Sequence, residues 1–121
     1  MTVQLPLYNE RYVARRLIES VSSLEWPIGK LQILVLDDST DDTSEIVKCC
    51  VEQLKLKDYD IEILKRGERT GYKAGALQNA LKYSKGKYIA IFDADFLPPP
   101  DFLNETITLM EDDPILGIVQ T

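Results

Sequence analysis

Histidine is absent from this chain. Its absence removes the usual general base at neutral pH and the commonest imidazole metal ligand, so any acid–base chemistry falls to carboxylates, lysine or tyrosine. Cysteine is nearly absent too: the two present, Cys49 and Cys50, are adjacent. On the helix predicted there, neighbouring side chains point in different directions, and no bridge between them is expected. Such a pair builds neither a disulfide framework nor a zinc site, and a reducing compartment fits best. Long apolar runs are missing. No stretch approaches the length of a transmembrane helix, and no signal-peptide pattern opens the chain. Positive charge is in deficit, with 14 Lys and Arg against 20 Asp and Glu, for a net charge of −6. A chain this acidic is a poor candidate for non-specific nucleic-acid binding. An anionic ligand held by local Lys or Arg remains compatible with it.

What is present suits one small globular core: 121 residues, 45% of them hydrophobic and 28% charged. Strand and helix signals alternate. Thr2 to Leu5 reads as a short strand. Val13, Leu17, Val21 and Leu24, with Ile18 beside them, predict a helix over about Glu10–Leu24 that Trp26-Pro27 ends. Leu31–Leu36 is nearly continuous in apolar residues, as a parallel strand covered on both faces should be. Ile46, Val47, Cys50, Val51 and Leu54 mark one face of a second helix, with Asp42 and Glu45 spaced as a capping box. Asp60–Lys65 reads as a third strand. A helix over about Ala74–Tyr83 follows, with Leu77 and Leu81 inward and Gly86 at its end. Tyr88–Phe92 is the next strand, then a helix over about Pro100–Met110 and a last strand over Ile115–Gln120. Repeated β-α units predict a mostly parallel α/β sheet with helices on both faces. Residues 1–121 form a single domain in this reading, and the uncovered last strand marks an incomplete one.

In open parallel sheets ligands bind at the carboxyl ends of the strands, and every polar cluster falls at such an end. Tyr8, Asn9 and Glu10 follow the first strand, and Asp37 and Asp38 the second. The basic, Gly-containing segment Arg66–Lys73 follows the third and opens a helix, where backbone N–H groups and the dipole favour an anion and Lys73 adds a point charge. It is neither a Walker loop nor a dinucleotide fingerprint. Asp93-Ala94-Asp95 follows the fourth strand. Two carboxylates at i and i+2 on extended backbone point to one side, and a cation between them relieves their repulsion. Hard oxygen ligands suit Mg²⁺ or Mn²⁺, which bridge phosphate oxygens. Asp37 or Asp38 can accept hydrogen bonds from a nucleobase, with helix capping as the other role open to Asp38. Tyr8 can stack on a base or fill a half-buried place in the core.

The ordered runs Pro6-Leu7-Tyr8-Asn9-Glu10, Val35-Leu36-Asp37-Asp38-Ser39, Gly71-Tyr72-Lys73-Ala74-Gly75-Ala76-Leu77 and Phe92-Asp93-Ala94-Asp95-Phe96 carry a resemblance. Over essentially its whole length the chain resembles family 2 glycosyltransferases of the processive, cellulose-synthase-like branch, near bacterial relatives of the plant glucomannan and xyloglucan backbone synthases. The resemblance implies a Rossmann-like glycosyltransferase A fold and an inverting transfer from a nucleotide-sugar to a glycan acceptor, giving a β-linked polysaccharide or glycan. It implies Tyr8 and Glu10 at the base and ribose, Asp37 or Asp38 holding the base, and Lys73 near the diphosphate or sugar. Asp93 would face the ribose or sugar, and Asp95 would ligate Mg²⁺ or Mn²⁺. UDP-glucose is the first donor expected and GDP-mannose the second. The family's catalytic Asp in a T-E-D-like run and its Q-x-x-R-W motif are not found before Thr121. No catalytic base is therefore assigned within the chain, which is expected to be inactive alone and soluble itself. The full-length protein would sit at the cytoplasmic face of a membrane through regions outside it.

Three other readings compete. A haloacid-dehalogenase-like phosphatase also uses D-x-D at a strand end, but on its first strand and with Thr or Val two places on, where this chain has Leu97. A response-regulator receiver needs its acidic pair after the first strand. A nucleotide-sugar-binding module without turnover is the non-enzymatic alternative.

Overall fold

A computed structural model describes residues 1–65, 72–86, 88–93, 98, 100–103 and 118–120, with the side chains of residues 28, 72–74 and 118–120 left out. Of the helix expected over Pro100–Met110 only residues 100–103 are described, and of the strand expected over Ile115–Gln120 only Ile118–Gln120. The ordered elements are β1 (Thr2–Leu7), α1 (Ala14–Ser22), β2 (Gln32–Asp37), α2 (Thr43–Lys55), β3 (Asp60–Leu64), α3 (Tyr72–Leu81), β4 (Ile89–Ile91) and β5 (Ile118–Gln120). They build a five-stranded sheet in the order β3-β2-β1-β4-β5. Every pair is parallel, from Thr2 opposite Gln32 to Gln32 opposite Asp60 and Thr2 opposite Ile89. The order reverses beside β1, which makes the carboxyl end of β1 a topological switch point.

Side-chain alternation along the strands sorts the core into two layers. Val3, Leu5 and Leu7 of β1 join Ile33 and Val35 of β2 and Ile61 of β3 on one face, against Leu17, Ile18 and Val21 of α1 and Val47, Cys50 and Val51 of α2. The opposite face carries Leu34 and Leu36 against Ala76 and Ala80 of α3. β1 and β2 are buried along their whole length, which is why β2 reads as a nearly unbroken apolar run, while β1 alternates polar Thr2 and Gln4 with apolar Val3 and Leu5.

On the α3 face three buried side chains are polar: Thr2, Gln4 and Gln32. Burial of such groups is tolerable only when they are hydrogen-bonded, and the turn after α3 supplies the partners. The Gln32 carboxamide donates to the Tyr83 carbonyl at 2.8 Å and accepts from the Lys85 amide at 2.8 Å. The Thr2 hydroxyl donates to Gln32 Oε1 at 2.8 Å and accepts from the Gly86 amide at 2.8 Å. Gln4 donates to the Ser84 hydroxyl at 3.0 Å. Gly86 is required by this packing: a Cβ there would lie 2.5 Å from the Thr2 nitrogen.

Several local expectations are corrected. α1 starts at Ala14, not Glu10, because the Glu10 carbonyl is spent on a turn, accepting the amides of Val13 and Ala14. The expected capping box at α2 does not form. The Asp42 side chain makes no capping bond, and Asp41 accepts the Thr43 amide instead at 2.9 Å. Asp42 faces Arg11 at 3.4 Å. α3 ends at Leu81 rather than at Gly86, and Leu81 is exposed, since the stripe that meets the sheet is the small pair Ala76 and Ala80 with Leu77 at its flank. Cys49 and Cys50 are both free, and burial pushes the Cys50 thiol above its ordinary pKa.

β1 contains a proline at a central position, which strands rarely tolerate. The Thr2 amide donates to the Tyr88 carbonyl, so the amides of alternate β1 residues face β4. Pairing with β4 reaches only Gln4, whose carbonyl accepts the Phe92 amide at 3.2 Å. Pro6 is the next β1 residue whose nitrogen faces that way, and it has no N–H to offer. The two strands part there.

Replacing Gln32 by leucine strands the Lys85 amide and the Tyr83 carbonyl. Urea unfolding should show a loss of about 1–3 kcal/mol, and Gly86→Ala should be destabilised in the same assay by displacement of the β1 backbone.

Candidate functional site

A crevice opens at the carboxyl rim over the ends of β1 and β2 and beside α3, and polar residues of the loops after both strands border it. A cleft of about 210 Å³ is lined by Pro6, Leu7, Tyr8, Glu10, Leu36, Asp38 and Ala76. Its floor is apolar, and its polar groups are the Tyr8 phenol and the carboxylates of Glu10 and Asp38. Sites that enclose a whole drug-sized ligand run to about 300–1,000 Å³. The described cleft therefore suits one flat ring system with N–H groups to donate.

Each wall has its own support. Tyr8 is 41% exposed, so its ring stands at the rim rather than in the core. Glu10 turns back on its own loop, and Oε1 accepts the Tyr8 amide at 3.2 Å. Asp38 is half-buried on the cleft, while its amide donates to the Leu7 carbonyl at 3.0 Å and extends the β1–β2 pairing by one step. Asp37 is placed differently. It is 1% exposed and does not line the cleft. Its Oδ1 accepts the Ser39 amide at 2.9 Å, and its Oδ2 lies 3.8 Å from Lys65 Nζ. Lys65 also donates to the Ser44 hydroxyl at 2.9 Å. Of the two adjacent aspartates, one holds the loop and the other faces the cleft.

Asp93 is half-buried directly after β4, behind Phe92, whose ring is fully buried and packs edge-on against Phe102 at 5.1 Å. That anchor fixes where Asp93 leaves the sheet. Asp95, the Arg66–Gly71 loop and the Lys73 side chain lie outside the described residues. Among the described residues no three acidic or sulfur-bearing groups gather into a cage. The hard oxygen donor at Asp93 is nonetheless of the type that Mg²⁺ and Mn²⁺ take.

Sequence reasoning placed Asn9 in the rim cluster without a role and overlooked Ser39 and Lys65. Asn9 has a positive φ of 51°, a region that asparagine enters more readily than most residues. Its position between Tyr8 and Glu10, just after a strand, was the available signal. The positions of Ser39 and Lys65 depend on strand register, which no local pattern carries.

The family pattern "Glycosyl transferase family 2" matches residues 2–121, and the chain belongs to that family. It is 44% identical, over 98% of its length, to a probable glucomannan 4-beta-mannosyltransferase 11 of Arabidopsis thaliana, and spans 28% of that protein. It is 42% identical, again over 98% of its length, to glucomannan 4-beta-mannosyltransferase 1 of Oryza sativa subsp. japonica, spanning 23% of it. The chain thus corresponds to about a quarter of these plant relatives. Among solved structures, the mannosyltransferase PcManGT from Pyrobaculum calidifontis, in complex with GDP-Man and Mn²⁺, superposes with a TM-score of 0.83 at 32% identity, covering 93% of this chain and 32% of that one. TarS of S. aureus superposes with a TM-score of 0.77 at 23% identity, covering 92% of this chain and 19% of that one. These likenesses bear out the expected glycosyltransferase A architecture and the cellulose-synthase-like branch.

The different supports of the two aspartates lead to different expected phenotypes. Asp37→Ala leaves the buried Ser39 amide unpaired and should lower unfolding stability by about 1–3 kcal/mol. Asp38→Ala, on the open cleft, should cost less in the same chemical denaturation experiment.

Proposed function

We propose that this chain is the donor-binding part of an inverting glycosyltransferase that takes a hexose from GDP-mannose, with a divalent cation, to build a β-linked polysaccharide. The observation that carries the reading is the cleft at the switch point: Tyr8, Glu10 and Asp38 around an apolar floor at the ends of β1 and β2, with Asp93 at the end of β4. Tyr8 would stack on the base, and a carboxylate would accept its N–H groups. A guanine presents two adjacent donors to a two-oxygen acceptor where a uracil presents one. That chemistry, with the mannosyltransferase relatives and the GDP-Man complex, puts GDP-mannose ahead of UDP-glucose and reverses the order expected from sequence. Glu10 would serve the base and ribose, Asp93 the ribose or sugar, and Lys73 the diphosphate. Asp37 would support Asp38 from behind.

The cation would be held by Asp95, and when bound it neutralises charge on the departing diphosphate. In the reaction an acceptor hydroxyl oxygen bonds to the anomeric carbon as the bond from that carbon to the diphosphate oxygen breaks. The hydroxyl proton passes to a base that we assign to residues outside this chain. The nucleoside diphosphate leaves, and direct displacement inverts the anomeric centre. Membrane association of the full-length protein belongs to the same proposal. Among the described residues no helix is long and apolar enough to cross a bilayer.

Calorimetry checks the donor half. GDP should bind more tightly with Mn²⁺ than without it, and Asp95→Ala should remove the difference. Lys73→Ala should weaken GDP while leaving guanosine nearly unchanged. Equal affinity with and without metal would sink the cation assignment.

Transfer is checked with a full-length protein containing this chain, presented with labelled GDP-mannose, UDP-glucose and UDP-N-acetylglucosamine. A β-linked mannose product is expected. Asp38→Ala should raise KM for the donor more than it lowers kcat, because the base lies away from the reacting carbon. Phosphate release from a simple phosphate ester, with no sugar transferred, would hand the site to the dehalogenase-type reading. Nucleotide binding without transfer would favour the binding module.

A further inference from the structure

Asn9 makes a cluster of hydrogen bonds at the rim, and the proposed contacts with a nucleotide leave it without a task. Its Oδ1 accepts the Thr40 amide at 2.7 Å and the Asp41 amide at 3.3 Å. Its Nδ2 donates to the Thr40 hydroxyl at 3.2 Å, and its own amide donates to the Ser39 hydroxyl at 3.0 Å. All of these bonds run from the loop after β1 to the loop after β2. The same two loops carry the opposing walls of the cleft, Tyr8 and Glu10 on one and Asp38 on the other. Strand pairing reaches only as far as Asp38, whose amide donates to the Leu7 carbonyl, and leaves Tyr8, Glu10 and the loop after Asp38 to other bonds. Past those residues the chains diverge into α1 and α2.

The backbone conformation is part of the device. Only with φ at 51° does the Asn9 carboxamide turn across to the neighbouring loop while the chain continues toward Glu10. Most side chains resist that conformation, and glycine accepts it but brings no carboxamide.

We propose that Asn9 is a positioning residue that ties the two loops into one unit and so sets the width of the cleft between Tyr8 and Asp38. The consequence for affinity rests on reading the cleft as the nucleotide site. The tie itself does not.

The test uses Asn9→Ala, Asn9→Gly and Asn9→Asp in this chain, with GDP titration, thermal unfolding and amide hydrogen exchange as readouts. Asn9→Gly keeps the turn and the backbone bond to the Ser39 hydroxyl and removes the carboxamide bonds to Thr40 and Asp41. Asn9→Asp keeps an acceptor for the Thr40 and Asp41 amides, next to the start of α2, where negative charge is welcome. GDP affinity should fall about tenfold or more in the alanine and glycine variants, as expected when several hydrogen bonds are lost together. The aspartate variant should recover most of it, and the glycine variant should unfold near the native temperature. In exchange, the Tyr8 and Ser39 amides should speed up together in the alanine and glycine variants. Neither amide bonds to the Asn9 side chain, so only a shared tie moves both.

Native affinity in the glycine variant would overturn the proposal, since the turn alone would then suffice. So would an affinity loss in all three variants that merely follows a loss of fold. If the native chain binds no GDP, the nucleotide reading fails and the exchange data decide alone: loosening on both sides upholds the tie, and loosening confined to one loop overturns it.

Discussion

The carboxamide of Gln32, carried by β2, bonds to Thr2 of β1 and to Tyr83 and Lys85 of the turn that follows α3. A sheet face that carries three buried polar side chains has to be covered by something that can bond to them. Here the cover is the backbone of residues 83–86 rather than another apolar helix face. This requirement determines where α3 stops and where β4 enters beside β1. It thereby sets the direction in which α3 presents its opening turn to the rim. A mismatch at Gln32 would cost more than one hydrogen bond, because low dielectric around a buried network raises the penalty for each group left unpaired.

At the opposite end of the sheet the chain does the reverse and leaves strands unpaired. β1 and β4 separate after Gln4, the rim residues turn outward, and carboxylates collect where backbone groups are no longer committed to a ladder. The pattern of one end stitched and the other open divides stability from function along the strand direction. Loops on the open rim are held by side chains instead: Asp37 bonds to the Ser39 amide, Asn9 reaches Thr40 and Asp41, and Glu10 reaches Tyr8. Asp37 and Glu10 each accept a backbone amide two residues away, a local mode of loop support, while Asn9 reaches across to the backbone of the neighbouring loop.

Much of this was legible in the amino-acid order. The nearly continuous apolar run at β2 announced a doubly covered parallel strand, and helical spacing in α1 and α2 announced its cover. The order of rim motifs led to the family, and Tyr8, Glu10 and Asp38 do line one cleft. The failures have a common cause. Asp42 and Glu45 have capping-box spacing, yet Arg11, which lies far away in sequence, draws Asp42 aside. Leu81 has the periodicity of a core residue, but α3 meets the sheet through alanines small enough for close approach. Gly86 looks like a helix terminator, and its reason for being glycine is the backbone of residue 2. In every case a contact distant in sequence outweighed a local rule, as tertiary context generally does. The division of labour between Asp37 and Asp38 was illegible for the same reason, since which of two neighbours faces a cleft depends on register.

Pro6 has a consequence for how the chain is assembled. β1 is the middle of the five described strands and is synthesised before the other four. Its β4 side must wait for residues 89–91, and in the meantime it is an open strand edge next to other nascent chains. Parallel pairings between such distant segments form slowly, and unpaired edges recruit wrong partners. A proline on that edge interrupts the row of donors a stray strand would need. The residue that lines the cleft in the folded protein therefore also guards the central strand against misassembly during its longest exposure.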